Sequence, residues 1–120
     1  MDERINIKEL KEKIKKFCDD RDWEQFHGAK DLAIGIITES SELLDLFKFK
    51  SNEEIKLLFK DPKKREHISE EISDIFYYLL RFAQINNIDL SKELMKKMDK
   101  NDQKYPIEKA KGSNKKYNEL

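Results

Sequence analysis

Leu32-Ala33-Ile34-Gly35-Ile36-Ile37-Thr38-Glu39-Ser40-Ser41-Glu42-Leu43-Leu44-Asp45-Leu46 reads as an amphipathic helix with one flaw in its apolar seam. Leu32, Ile36, Leu43 and Leu46 advance by four, seven and three residues, and the position missing from that helical series is Glu39. An acid therefore occupies a core slot, and Glu42, three residues on, projects from the same face. The stretch from Ile68 to Phe82 repeats the pattern: Ile68, Ile72, Ile75, Leu79 and Phe82 form an unbroken seam, while Glu71, Asp74, Tyr78 and Arg81 form a polar stripe beside it. Either acid pair alone would be most simply explained as the solvated flank of a helix. Together they place four carboxylates on two helices, and four such acids drawn out of water cannot all stay ionised unless cations hold them. The spacing predicts an all-α protein built around a divalent metal site, with Glu39, Glu42, Glu71 and Asp74 as ligands.

Composition narrows the function classes. The 120 residues carry no Gly/Ser linker and predict one domain over 1–120. Lys+Arg and Asp+Glu both total 25, so no field for gripping a nucleic-acid polymer is expected. Charged residues make up 42%, but the apolar 38% is strongly periodic, which argues against disorder. The single Cys18 has no disulfide partner in the chain and no neighbours at zinc spacing, as suits a reducing cytoplasm. Met1-Asp2-Glu3-Arg4 is charged and no apolar segment follows, so no secretory signal is expected. The longest apolar run, Ile75 to Leu80, falls far short of the roughly 20 residues that span a bilayer.

Outward from the two acid-bearing segments, Leu10, Ile14 and Phe17 predict a first helix from Ile7 to about Asp20. Arg21 to Gly28 breaks the period and reads as a connection, and the first acid helix follows from about Ala29 to Phe47. Ser51-Asn52-Glu53-Glu54 predicts a capped short helix ended by Asp61-Pro62. The longest helix should run from near Lys63 to about Asn86. Another should begin near Ser91, capped by Asp89 or Ser91, and close before Pro106. Residues 106–120, rich in Lys, read as a basic tail, either disordered or acting as a lid.

Several of these strings, in this order, resemble one family. Arg21-Asp22-Trp23-Glu24-Gln25-Phe26-His27, the Glu39/Glu42 pair followed by Leu46-Phe47-Lys48-Phe49, Glu70-Glu71-Ile72-Ser73-Asp74, Lys97-Met98-Asp99, Lys104-Tyr105-Pro106, Gly112-Ser113 and Lys116-Tyr117 look like the MazG-like nucleotide pyrophosphohydrolases, above all their dCTP pyrophosphatase branch. The resemblance implies a four-helix-bundle-type, oligomeric fold that hydrolyses a nucleoside triphosphate, dCTP or a related pyrimidine deoxynucleotide, to the monophosphate and pyrophosphate, in housecleaning of the nucleotide pool. It implies that Glu39, Glu42, Glu71 and Asp74 hold Mg²⁺, with Mn²⁺ as a possible substitute. Glu70, beside them, reads either as a supporting residue or general base or as a solvent-facing helical Glu. Trp23, His27, Phe49 and Tyr78 would line the nucleotide pocket, and Lys97 and Asn101 would make polar contacts to it. Phe49 departs from the family pattern, which commonly has Trp there, and this puts base preference in doubt.

Two rival classes share some of these features. A di-iron carboxylate bundle expects Glu-x-x-His on two helices; here the only comparable arrangement, His67-x-x-Glu70, is reversed, and oxygen-only ligation favours Mg²⁺ or Mn²⁺. A non-catalytic helical interaction or regulatory module would instead pair Glu39 and Glu42 with lysines and ignore Mg²⁺. Arg81 and the tail lysines read more readily as solvated surface than as phosphate ligands. Ile34, Ile37, Leu44, Phe47 and Phe76 lie off the main seams, and a chain this small cannot cover them all, so a homodimer or dimer of dimers is expected, by the resemblance with a pocket completed by the neighbouring subunit.

Overall fold

Four of the helices start where a short polar side chain satisfies free backbone N–H groups. In the computed structural model, which describes residues 1–120, the Asn6 side chain accepts from the Glu9 N–H and opens α1 (Ile7–Asp19). After a single 3₁₀ turn at Glu24–Phe26, α2 (Ala29–Asp45) carries the first acid pair. Ser51 and Glu54 form a reciprocal capping box at the head of α3 (Asn52–Lys60). Asp61 then accepts from the N–H groups of Lys63 and Lys64, and Pro62 takes the first position of α4 (Pro62–Ile85), where its missing N–H costs nothing. Asp89 caps α5 (Leu90–Lys104), and Pro106 separates it from a single-turn α6 (Ile107–Ala110). No strand is present, and no helix is long and apolar enough to cross a membrane.

The chain divides into two compact units, Met1–Asn87 and Ile88–Leu120. In the first, α4 is the central element: α2 packs most extensively against it, and α1 and α3 flank it. Its core consists of Cys18 from α1, Leu32 from α2, and Ile68, Leu80 and Ala83 from α4. Cys18 Sγ lies 3.2 Å from the Tyr77 hydroxyl, and Phe17 meets the Tyr77 ring edge-on. In the second unit, the tail is neither featureless nor a lone strand of charge. Tyr117, in a terminal 3₁₀ turn, meets the Tyr105 ring edge-on, with the Lys104 ammonium 4.8 Å from the Tyr117 centroid.

The apolar seam expected on α4 holds only in part. Ile68 is buried and Ile75 and Phe82 are half-buried, but Ile72 and Leu79 are exposed, and the buried positions further along are Leu80, Arg81 and Ala83. The contact face thus rotates along the helix to meet α1 as well as α2. Arg81 corrects the reading of a solvated surface group: its guanidinium is 1% exposed, made tolerable by hydrogen bonds to His27 and Gln84.

One close approach sets the fit of α2 on α4. A Cβ at Gly35 would lie 2.5 Å from Tyr78 Cε1 and within 2.8 Å of two further ring atoms. Replacing a mid-helix Gly with Ala would otherwise gain about 1 kcal/mol in helix propensity. Overpacking costs roughly 1–3 kcal/mol, and here it opposes that gain with three ring atoms at once. Gly35→Ala should therefore lower the melting temperature, and Gly35→Ala combined with Tyr78→Ala should be more stable than the sum of the two single losses. Thermal denaturation of the four proteins reads this coupling directly.

Candidate metal centre and nucleotide site

Glu39 and Glu42 on α2 and Glu71 on α4 each direct a carboxylate oxygen to a common point, all within 4.8 Å of one another. The serines between the acids do not serve them. Ser40 Oγ donates to the Ile36 carbonyl and Ser73 Oγ to the Ser69 carbonyl, each bonding back onto its own helix. The carboxylates are left to face one another. Glu39 Oε2 and Glu71 Oε2 are buried without any hydrogen-bond partner, a condition that native structures seldom tolerate unless something else binds the atom. Only His67 reaches the group from outside, its Nε2 3.2 Å from Glu71 Oε1.

The electrostatics follow from the geometry. Burial, then the hydrogen bond and charge of Glu42, then the charges of Asp74 and Glu71 push the Glu39 carboxyl up to about 7. Burial and Glu42 likewise raise Glu71, opposed by His67. A proton and a cation would therefore compete for the same carboxylates. An all-oxygen donor set with two unpartnered buried oxygens fits a hard cation such as Mg²⁺ or Mn²⁺.

The fourth expected ligand stands apart. Asp74 is exposed and outside the three-acid group, although its charge is felt at Glu39. Glu70 is exposed too and joins no part of the cluster; on a helix, adjacent residues point about 100° apart. One turn before Glu71, a cavity of about 200 Å³ opens among the end of α2, α3 and the start of α4, and Lys50, Lys64 and His67 bring basic groups to it beside Asp45.

The aromatic residues form a second group. Trp23, 38% exposed, meets Phe17 edge-on at 5.7 Å between centroids and His27 at 6.4 Å. Tyr78 packs over Gly35 and edge-on to Tyr77. Phe49 stands apart with 98% exposure and a left-handed backbone, φ 63°, accompanied only by Lys48, whose ammonium lies 5.8 Å from its centroid. Lys97, exposed, and Asn101, half-buried, lie on α5 in the second unit. Sequence reasoning missed Arg81 as a member of this region; the available signal was a single cation inside the otherwise apolar run from Ile75 to Ala83.

A family model described as the MazG-like family matches residues 34–120, a span that contains both acid pairs. The chain belongs to the MazG-like family. Among its relatives, dCTP pyrophosphatase 1 of Rattus norvegicus is 39% identical over 104 residues, covering 87% of this chain and 61% of that protein. The Homo sapiens protein of the same name is 38% identical over the same shares. This chain therefore spans about 61% of the length of the curated relatives it matches. A crystal structure of a pyrophosphatase from Archaeoglobus fulgidus superposes with a TM-score of 0.78 at 33% identity, covering 83% of this chain and 92% of that one. The all-helical architecture expected from the acid-bearing helices is thus that of a MazG-like pyrophosphatase fold.

A MazG-like chain with this cluster should show a distinctive pH response. Because folding raises the Glu39 pKa from 4.5 to about 7, the folded state binds more protons than the unfolded one between those values, and stability falls as pH rises through that window. In chelator, the melting temperature should decline from pH 5 to pH 8 through this contribution. Mg²⁺ should raise it more at pH 8 than at pH 5, since the cation competes with the proton. Glu39→Gln should flatten both responses, as calorimetry across the pH series would reveal.

Proposed function

We propose that the chain is a nucleoside triphosphate pyrophosphohydrolase, taking dCTP or a related pyrimidine deoxynucleotide to its monophosphate and pyrophosphate with Mg²⁺ held by Glu39, Glu42 and Glu71 and with Asp74 close by. The observation that carries the reading is the convergence of three carboxylates with two unpartnered buried oxygens. Support for the substrate class comes from the relatives named dCTP pyrophosphatase 1 and from the pyrophosphatase structure. When bound, Mg²⁺, or Mn²⁺ in its place, supplies Lewis-acid polarisation of phosphate oxygens and lowers the pKa of a coordinated water.

The chain's own residues would divide the remaining work. Overall, water adds at the α-phosphorus, the bond from the α-phosphorus to the α,β-bridging oxygen breaks, and pyrophosphate leaves carrying that oxygen and its charge while the water's protons pass to solvent. The carboxylates of Glu39, Glu42 and Glu71 would hold the cation. Lys50, Lys64 and His67, at the cavity beside Glu71, suit the departing pyrophosphate by charge. Trp23 offers an aromatic face for the base, with His27 beside it, and Tyr78, Lys97 and Asn101 are assigned to the nucleotide by the family resemblance alone. Glu70, on the solvent side of α4, would have at most an indirect role.

The same reading makes the protein a single catalytic domain, cytoplasmic, acting as a homodimer or dimer of dimers. Ile34, Ile37, Leu44 and Phe76 are exposed on α2 and α4, with Ile37 at 72%, and a second copy of the chain would cover such a surface. Phe47 needs no such cover, because it stacks on Phe59 at 6.0 Å.

Pyrophosphate release from a panel of deoxy and ribo triphosphates tests the proposal. Glu42→Gln and Glu71→Gln should each reduce turnover about a hundredfold or more while folding is retained, and EDTA should abolish it. Trp23→Ala should raise KM about tenfold, the scale of one stacked base. Absence of release from every triphosphate, with folded protein and Mg²⁺ present, would overturn the assignment and favour the interaction-module alternative.

A further inference from the structure

Arg81 is the one charged side chain of the buried core, and the fold places no acid within ion-pairing distance of it. It takes part in none of the ion pairs. Its Nε donates to His27 Nδ1 at 2.9 Å and its Nη1 donates to Gln84 Oε1, while Nη2 is buried without a partner. Burying a guanidinium against neutral acceptors is expensive, so its presence calls for a reason other than stability.

The reason lies in what a guanidinium imposes on an imidazole. Arginine is always protonated and can only donate. The nitrogen that accepts from it, His27 Nδ1, must therefore be bare, and the proton of the neutral ring must sit on Nε2. Protonating Nδ1 would break the hydrogen bond and set two cations in contact. The other charged groups around His27 are Asp31 on α2 and Glu24 in the 3₁₀ turn, both of which favour the charged ring; burial and Arg81 outweigh them, and the His27 pKa is lowered. The ring is thus kept neutral in a single tautomer. Beside it Trp23 keeps an accessible indole, the two rings 6.4 Å apart at an interplanar angle of 69°.

We propose that Arg81 is a positioning residue that locks His27 as a fixed Nε2–H donor beside Trp23, for an acceptor oxygen on the edge of the nucleobase stacked there. The nucleotide half of this statement rests on the function proposed above; the Arg81–His27 half does not. A donor of this kind discriminates for bases with a carbonyl at that edge, because its proton is neither lost nor moved to the other nitrogen over the working pH range. Arg81 never touches the nucleotide in this arrangement and acts through the imidazole alone.

Nitrogen NMR of protein labelled with ¹⁵N-histidine tests both halves, with only two histidines to resolve. In the unaltered protein, His27 should show a bare Nδ1 and a protonated Nε2, and should titrate below an ordinary histidine. A protonated Nδ1, or an ordinary titration, would overturn the proposal without need of any variant. In Arg81→Met, with folding checked by circular dichroism, the tautomers should mix and the His27 titration should move up; unchanged signals would overturn it. Saturating dCMP should move the wild-type Nε2 resonance, and Arg81→Met should raise KM for dCTP roughly three- to tenfold, the range for one neutral hydrogen bond, with a smaller change in kcat. A still resonance, or a fall in kcat at constant KM, would overturn the nucleotide half. If the unaltered enzyme hydrolyses no triphosphate while the nitrogen signals are as expected, the proposed function falls and the Arg81–His27 lock stands.

Discussion

The mutual repulsion of Glu39, Glu42 and Glu71 is the constraint around which the first unit is arranged. Three carboxylates within 4.8 Å resist the packing of α2 on α4, yet that packing is the most extensive in the chain. The apolar contacts on either side must overcome the repulsion, and the raised Glu39 and Glu71 pKa values express how it is relieved when no cation is present: the acids take up protons. Gly35 belongs to the same arrangement, since the absence of its Cβ lets the Tyr78 ring sit against α2. Stability is given up here for a site, the usual direction of that exchange.

A fold could have neutralised such acids with its own cation, and this one holds a buried cation on the same helix. It keeps them apart. Arg81 follows Asp74 by two helical turns, a rise of about 10 Å, and the groups that feel its charge are Lys15, Asp19, His27 and Tyr77 rather than the acid cluster. An internal salt bridge between Arg81 and Glu39 would satisfy both groups and leave the carboxylates unavailable to a metal ion. Separating them costs desolvation at two places instead of one, and what it yields is two poles of opposite character in a four-helix unit. The serines obey the same logic, for Ser40 and Ser73 bond to their own helices rather than to the acids.

Legibility in the sequence followed how local the governing physics was. The helix limits were readable because the governing signals are local: Ser51 and Asp89, read as caps, open α3 and α5, and the starts expected at Ile7 and near Lys63 fall within one residue of those observed. The acid pairs were readable because an acid in an apolar series contradicts the period it interrupts. Arg81 was not, since periodicity records only that a residue is polar and its burial depends on His27, 54 residues away. Ile72 and Leu79 were read into a seam that the curvature of packing against two different neighbours leaves exposed. The tail was judged by its lysines, although the Tyr105–Tyr117 contact fixes its course. Tertiary partners decide such cases, and no window along the chain contains them.

The exposed aromatic at Phe49 joins these threads. A non-glycine residue in the left-handed region is uncommon and strained unless its surroundings hold it there, and the phenyl ring, 98% exposed, has only the Lys48 ammonium beside it. Both costs fall on one residue, four positions past the end of the helix that carries Glu39 and Glu42. Along that helix, Ile34, Ile37 and Leu44 are exposed as well, so the unsatisfied apolar surface extends along α2 and beyond its end. Under the proposed homo-oligomer, one second copy lying along α2 would cover the aliphatic face and receive the Phe49 ring together, which links the assembly to the site through the helix they share.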